Sequence, residues 1–153
     1  MTRRVNSLGL SVLKQWEGIS GGKPVLKAYL DSVGVWTIGW GHTKGVCAGL
    51  TCTIEQAEAW LQQDLADAIH TVETGVKVRL TDNQFAALVI FAFNVGVGSF
   101  KSSTLLRMLN QGHYNQVPRQ LLRWNKGRVG GKLVVIPGLT NRRNAEIDLW
   151  QTV

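Results

Sequence analysis

The stretch Ala28-Tyr29-Leu30-Asp31-Ser32-Val33-Gly34-Val35-Trp36-Thr37-Ile38-Gly39-Trp40 decides how the chain is read. Asp31, Ser32, Val33 and Gly34 carry turn chemistry, and the residues on either side repeat with a period of two. Ala28–Leu30 and Val35–Trp40 are therefore predicted to pair as an antiparallel hairpin. In the second strand Trp36, Ile38 and Trp40 share one face, while Val35, Thr37, Gly39 and Gly41 share the other. The first face is expected to be core. The second is small, and its glycines suggest an open surface where a bulky ligand reaches the backbone.

Upstream of the hairpin, Ser7 is placed to cap a helix whose Leu10, Leu13 and Trp16 face inward, with Glu17 as its last residue and Gly18 as its stop. Gly21, Gly22 and Pro24 mark residues 18–27 as a flexible loop. Downstream the pattern turns helical. Thr53 and Gln56 form a capping box ahead of Ala57, Leu61, Leu65, Ala68, Ile69 and Val72, which predicts a long amphipathic helix from Ile54 to Thr74. Thr81 and Gln84 repeat the device before Phe85–Val95, which is apolar on nearly every side and reads as a buried central helix ended by Gly96 and Gly98. Shorter helices are expected over Ser103–Asn110 and Asn115–Trp124, a Gly- and Lys-rich loop over Asn125–Gly138, and a last helix capped by Thr140 and reaching Trp150. The fold class is α+β, a single domain with a small antiparallel sheet lobe (about 18–52) and a mainly helical lobe (about 75–153). The long helix joins them, the N-terminal helix packs on the helical lobe, and a cleft between lobes is the expected ligand site.

Length and composition bound what such a chain does. Its 153 residues are enough for one core without metal or disulfide staples, and 44% apolar with 18% charged residues is globular rather than disordered. No apolar run approaches the roughly 18 residues a bilayer crossing needs, and the first residues mix polar with apolar positions, unlike a signal peptide. The net charge of +7, with Lys and Arg enriched in the second half, favours a polyanionic partner: nucleic acid, anionic lipid or a carboxylate-bearing cell wall. Cys47 and Cys52, with His42, supply three ligands at irregular spacing, which fits no structural zinc site. Free thiols and a small-loop disulfide both remain open.

Chemistry centres on carboxylates. Glu17 falls on the apolar stripe of its helix, at i+7 from Leu10 and i+4 from Leu13. Burial and the negative end of the helix dipole both raise a carboxyl pKa, so such a group is suited to donate a proton to a leaving oxygen. A helix-end glutamate turned to solvent or paired with an arginine fits the pattern equally well. Asp31 sits at the hairpin tip, where Asp is also favoured for turn geometry alone. Thr37 offers a hydroxyl on the open face, or simply a β-branched residue suited to a strand.

Glu17-Gly18, then Leu26-Lys27-Ala28-Tyr29-Leu30-Asp31, then Gly34-Val35-Trp36-Thr37-Ile38-Gly39-Trp40-Gly41-His42-Thr43 together resemble the catalytic signature of phage-type lysozymes, glycoside hydrolase family 24. Phe93-Asn94-Val95-Gly96, Phe100, Ser103-Thr104-Leu105-Leu106 and Gly138-Leu139 leading to Arg142-Arg143 are similar to that family in the same order, so the likeness spans nearly the whole chain. The resemblance implies a lysozyme-like fold and a muramidase that hydrolyses the β-1,4 bond between N-acetylmuramic acid and N-acetylglucosamine in bacterial peptidoglycan. It implies Glu17 as general acid, Asp31 as the opposing carboxylate and Thr37 as positioner of the attacking water. Asn94 lines the cleft, Arg142 pairs with Glu17 and His42 is structural on the same grounds. An Arg142 partner lowers the Glu17 pKa against burial and dipole. No cofactor or metal is implied. The partner is peptidoglycan, with no nucleic acid and no stable membrane insertion, and the chain acts as a monomer. It is expected in the host cytoplasm until a holin-type pore releases it to the wall. One departure from the family pattern is an insertion of about five residues around Ser20–Pro24, tolerable if it bulges into solvent. Two other classes stay open: a lytic transglycosylase, which closes the muramic acid ring and needs no positioned water, and a non-catalytic basic binder. Against the binder as a nucleic-acid protein stand the lack of zinc-finger spacing or an RNA-binding aromatic motif and tryptophans at core positions.

Overall fold

The computed structural model describes residues 3–17, 23–31 and 34–153, with the side chain of Glu17 outside the description. Its elements are α1 (Ser7–Glu17), β1 (Val25–Leu30), β2 (Trp36–Gly39), α2 (Ile54–Gly75), α3 (Asp82–Val95), α4 (Val97–Lys101), α5 (Thr104–Asn110), a 3₁₀ turn (Tyr114–Gln116), α6 (Val117–Leu122), β3 (Lys126–Val129), β4 (Lys132–Val135) and α7 (Pro137–Gln151). They group into two compact units, one of Ser11–Asp67 and one of Met1–Leu10 with Ala68–Val153, so the boundary falls inside α1 and inside α2. The insertion expected around Ser20–Pro24 and the loop before it lie largely outside the described residues.

In the unit Ser11–Asp67, β1 and β2 pair antiparallel, with Tyr29 opposite Thr37 and Leu30 opposite Trp36. The first strand begins at Val25 rather than Ala28. Its far edge is occupied: the Ala28 N–H donates to Leu50 O at 2.8 Å and the Cys52 N–H to Leu26 O at 2.9 Å, so backbone groups before Ala28 also find partners. Ile38 and Trp40 are buried as the alternation requires. The opposite face is covered at Thr37 and Gly39, while Val35 stays exposed. Thr37 is buried, and a Cβ on Gly39, whose φ is +66°, would lie 3.2 Å from the Ala57 Cβ. Glycine is needed there because α2 packs against the strand as closely as its backbone allows. The capping box that starts α2 is formed in both directions, Gln56 N–H to Thr53 Oγ1 at 3.1 Å and Thr53 N–H to Gln56 Oε1 at 2.9 Å. Ala57, Leu61 and Leu65 then repeat along the buried side of α2, and Leu13 is buried in the same unit.

In the other unit α3 is the centre. Thr81 and Gln84 close a second capping box, and Phe85 to Ala92 are all buried. Helix α7 packs on α3 and on α6. Helix α1 is capped by Asn6, not Ser7: the Asn6 Oδ1 accepts from the Gly9 N–H at 2.9 Å and its amide donates to Asn83 Oδ1 at 2.8 Å. Asparagine is as good a cap as serine, and here it gains a second partner. Gly96 ends α3 with φ +97°, but Gly98 lies inside α4 instead of ending anything. Ser103 caps α5, accepting from the Leu106 N–H at 3.1 Å.

The expected loop over Asn125–Gly138 is in fact the hairpin β3–β4, with Val129 opposite Lys132. Gly130 and Gly131 adopt φ +58° and +80°, the two consecutive left-handed residues that the tightest hairpin turn demands. Thr140 does not cap α7, which starts three residues earlier at Pro137 with Ile136 before it. Proline has no N–H to leave unsatisfied in a first helical turn, and its fixed φ suits that position. Thr140 instead accepts a hydrogen bond from Asn125 Nδ2 at 3.1 Å. Both cysteines are free thiols, Cys47 exposed and Cys52 half-buried, and burial pushes the Cys52 thiol up. No described helix is long and apolar enough to cross a membrane, and no metal-binding cluster of His, Cys, Asp and Glu occurs among the described residues.

Candidate active site

The hairpin end holds two of the three residues expected to do chemistry, and one residue, Val35, ties them together. Asp31 directly follows β1, and its Oδ1 accepts from the Val35 N–H at 2.8 Å, while its own N–H donates to Val35 O at 3.0 Å. Thr37, buried in β2, donates its hydroxyl to the same Val35 oxygen at 2.9 Å. With its proton committed to Val35, the Thr37 oxygen offers lone pairs as an acceptor for another O–H. Glu17 is the last residue of α1, as expected, and its side chain lies outside the described residues.

His42 is bound to this hairpin and to α2. Its backbone N–H and C=O exchange hydrogen bonds with Ile38, both at 2.9 Å, across a turn in which Gly39 and Gly41 take φ +66° and +89°. Its Nδ1 lies 2.8 Å from Asp64 Oδ2, and its ring stacks on Trp60 at 4.7 Å with an interplanar angle of 7°. Trp60 and Asp64 are one helical turn apart on α2, so a single face of that helix grips the imidazole.

Asn94 and Arg142 belong to the other unit. Asn94 lies on the last turn of α3 and is half-buried, and so is Arg142 on α7. The expected Arg142–Glu17 pairing involves a side chain outside the described residues. Asn94 lines a cavity of about 620 Å³ whose wall includes Gln120, Trp124, Lys126, Leu133 and Arg143.

The residues that sequence reasoning missed are Arg143 and Glu146. Both are buried on α7, with Arg143 Nη2 donating to Glu146 Oε2 at 2.9 Å and to Asn94 Oδ1 at 2.6 Å. Arg143 Nε approaches Glu146 Oε1 to 2.8 Å as an ion-pair contact. Burial pushes the Glu146 carboxyl up to about 7 against the attraction of Arg143 and Arg142, and burial likewise lowers Arg143 from its usual value. A signal was present: Arg143 and Glu146 are an opposite-charge i,i+3 pair on the stripe that carries Leu149 and Trp150.

A paired hairpin bearing Asp31 and Thr37, followed by a largely helical second unit, is the architecture of lysozyme-like glycoside hydrolases. The chain superposes on the muramidase domain of SpmX from Asticaccaulis excentricus with a TM-score of 0.89 at 32% identity, covering 99% of both chains. It superposes on the endolysin of Escherichia coli O157:H7 phage FAHEc1, also at TM-score 0.89, with 35% identity over 99% of this chain and 95% of that one. In sequence it is 40% identical over 148 residues to an endolysin of Acyrthosiphon pisum secondary endosymbiont phage 1, covering 97% of this chain and 98% of the relative. The phage lysozyme family model matches residues 14–146, and the chain belongs to that family. It is a glycoside hydrolase of the lysozyme type, and it acts on peptidoglycan.

Proposed function

We propose that the chain cleaves the β-1,4 bond between N-acetylmuramic acid and N-acetylglucosamine, with Glu17 as general acid, Asp31 as general base and Thr37 as positioner of the attacking water. Glu17 gives its proton to the glycosidic oxygen as the bond to the anomeric carbon breaks. Water adds to that carbon from the opposite face and passes its proton to Asp31, the inverting course of a two-carboxylate site. The observation that carries the assignment is the shared hold of Val35 on Asp31 and Thr37, which fixes a carboxylate through its N–H and an acceptor hydroxyl through its C=O. Such fixed geometry is what an attacking water needs, and ring closure by a transglycosylase would not use it. Asn94, Arg142 and His42 support the site, Arg142 as the partner of Glu17.

The same reading makes the chain a monomer that works on the wall, with no nucleic-acid partner, and keeps it in the host cytoplasm until a membrane pore releases it. Clearing of chloroform-treated Gram-negative cells tests the acid. Glu17→Gln should slow clearing by about a hundredfold or more, the usual worth of a general acid. Equal clearing by the two proteins overturns the assignment in favour of charge-driven disruption. Digested wall should carry new reducing ends at muramic acid; an anhydro-muramic product instead would make the chain a transglycosylase.

A further inference from the structure

We infer that Arg143 is a positioning residue for substrate, fixing the Asn94 side chain so that its amide N–H groups face the cavity and take an amide carbonyl of the peptidoglycan strand. The inference rests on the reading of the chain as a peptidoglycan hydrolase. It starts from a restriction on the guanidinium group, which carries donors and no acceptor. Arg143 Nη2 lies 2.6 Å from Asn94 Oδ1, so the amide must turn its oxygen toward Arg143 and its NH₂ group away from it. Asn94 lines the 620 Å³ cavity, and a side chain otherwise free to flip its oxygen and nitrogen is left with one orientation.

Arg143 is itself held from several sides. Beside its two contacts to Glu146, its Nη1 donates to Trp124 O at 3.4 Å and the group lies over the Phe91 ring at 5.1 Å. The guanidinium therefore joins α7, the end of α3 and the second residue after α6, and shifting it would unpair a buried ion. Stability alone does not call for such a pair, since buried ion pairs exchange for apolar side chains at little or no cost. What an apolar pair would not do is choose which end of the Asn94 amide meets a ligand. The cavity wall suits an acetamido or peptide group: Trp124 and Leu133 offer apolar contact for a methyl, and Lys126 adds a cation.

The acceptor carbonyl has two sources, the N-acetyl groups of the glycan and the stem peptide, and the test separates them. Binding of a purified peptidoglycan tetrasaccharide, with and without stem peptides, is measured by calorimetry in a Glu17→Gln background, alone and combined with Asn94→Asp. The aspartate keeps the bond to Arg143 but offers the cavity no donor, so affinity should fall about tenfold while Tm holds. A fall with both fragments assigns the N-acetyl carbonyl, and a fall confined to the peptide-bearing fragment assigns the stem. The double substitution Arg143→Leu with Glu146→Leu, made in otherwise wild-type protein, frees the amide without leaving a lone charge. It should raise KM several-fold with kcat within about twofold. Unchanged affinity in the aspartate variant, or unchanged KM in the double variant, overturns the inference. The wild type separates this failure from that of the parent reading: without new reducing ends from the wall the hydrolytic reading fails, and with them this inference alone fails.

Discussion

Glu146 sets a pH dependence that a surface carboxylate would not. In the folded chain it holds its proton up to about pH 7, whereas its ordinary value is 4.5. Between those values the folded state binds more protons than the unfolded one, so this group makes the fold less stable as pH climbs from 4.5 to about 7. The stability present below 4.5 is lost by the time pH passes 7, by about 3 kcal/mol at the full shift. Urea unfolding of wild type and Glu146→Gln at pH 5 and pH 8 checks it. The stability advantage of the wild type over the variant should shrink from the lower pH to the higher, and a constant difference would reject the shift. Arg143 accounts for part of the attraction that resists it, which is why both residues have to be treated as one unit.

At the scale of elements, the turn of β3–β4 is the most exposed dependence on glycine. A two-stranded hairpin has little stability of its own, and Val129, Leu133 and Val135 on it are exposed. Gly131→Ala places a Cβ at φ +80° and should cost the hairpin about 1–2 kcal/mol, seen as faster amide exchange across Lys126–Val135 with the rest of the chain unchanged. That this hairpin read as a loop has a physical reason: glycine and lysine composition hid a Gly130-Gly131 turn whose flanking residues alternate only weakly. The two capping boxes, by contrast, were legible because Thr53–Gln56 and Thr81–Gln84 are contacts three residues long. The same locality made Asp31 and Thr37 readable, since Val35 links them within one hairpin. Asn94 and Arg143 are 49 residues apart, so the i,i+3 charge pair on the apolar stripe of α7, though visible, does not show what the guanidinium meets on α3. The open strand face was misjudged for a related reason: glycines that admit a ligand and glycines that admit a helix look alike until Ala57 is seen beside Gly39.

For the molecule as a whole, the charge of +7 should draw the protein to an anionic wall through solvent-exposed cations, an attraction that salt screens. Wall sedimentation should therefore retain less protein at about 0.5 M salt than at about 0.05 M, where the screening length is roughly three times longer. Retention independent of salt would assign binding to the sugar contacts alone. Helix α3 has a different consequence. Its residues from Phe85 to Ala92 are covered on every side, so their amides have no route to solvent through local fraying. In deuterated water those eight positions should be the last to label, and their rate becomes a gauge of how often the whole surrounding unit comes apart.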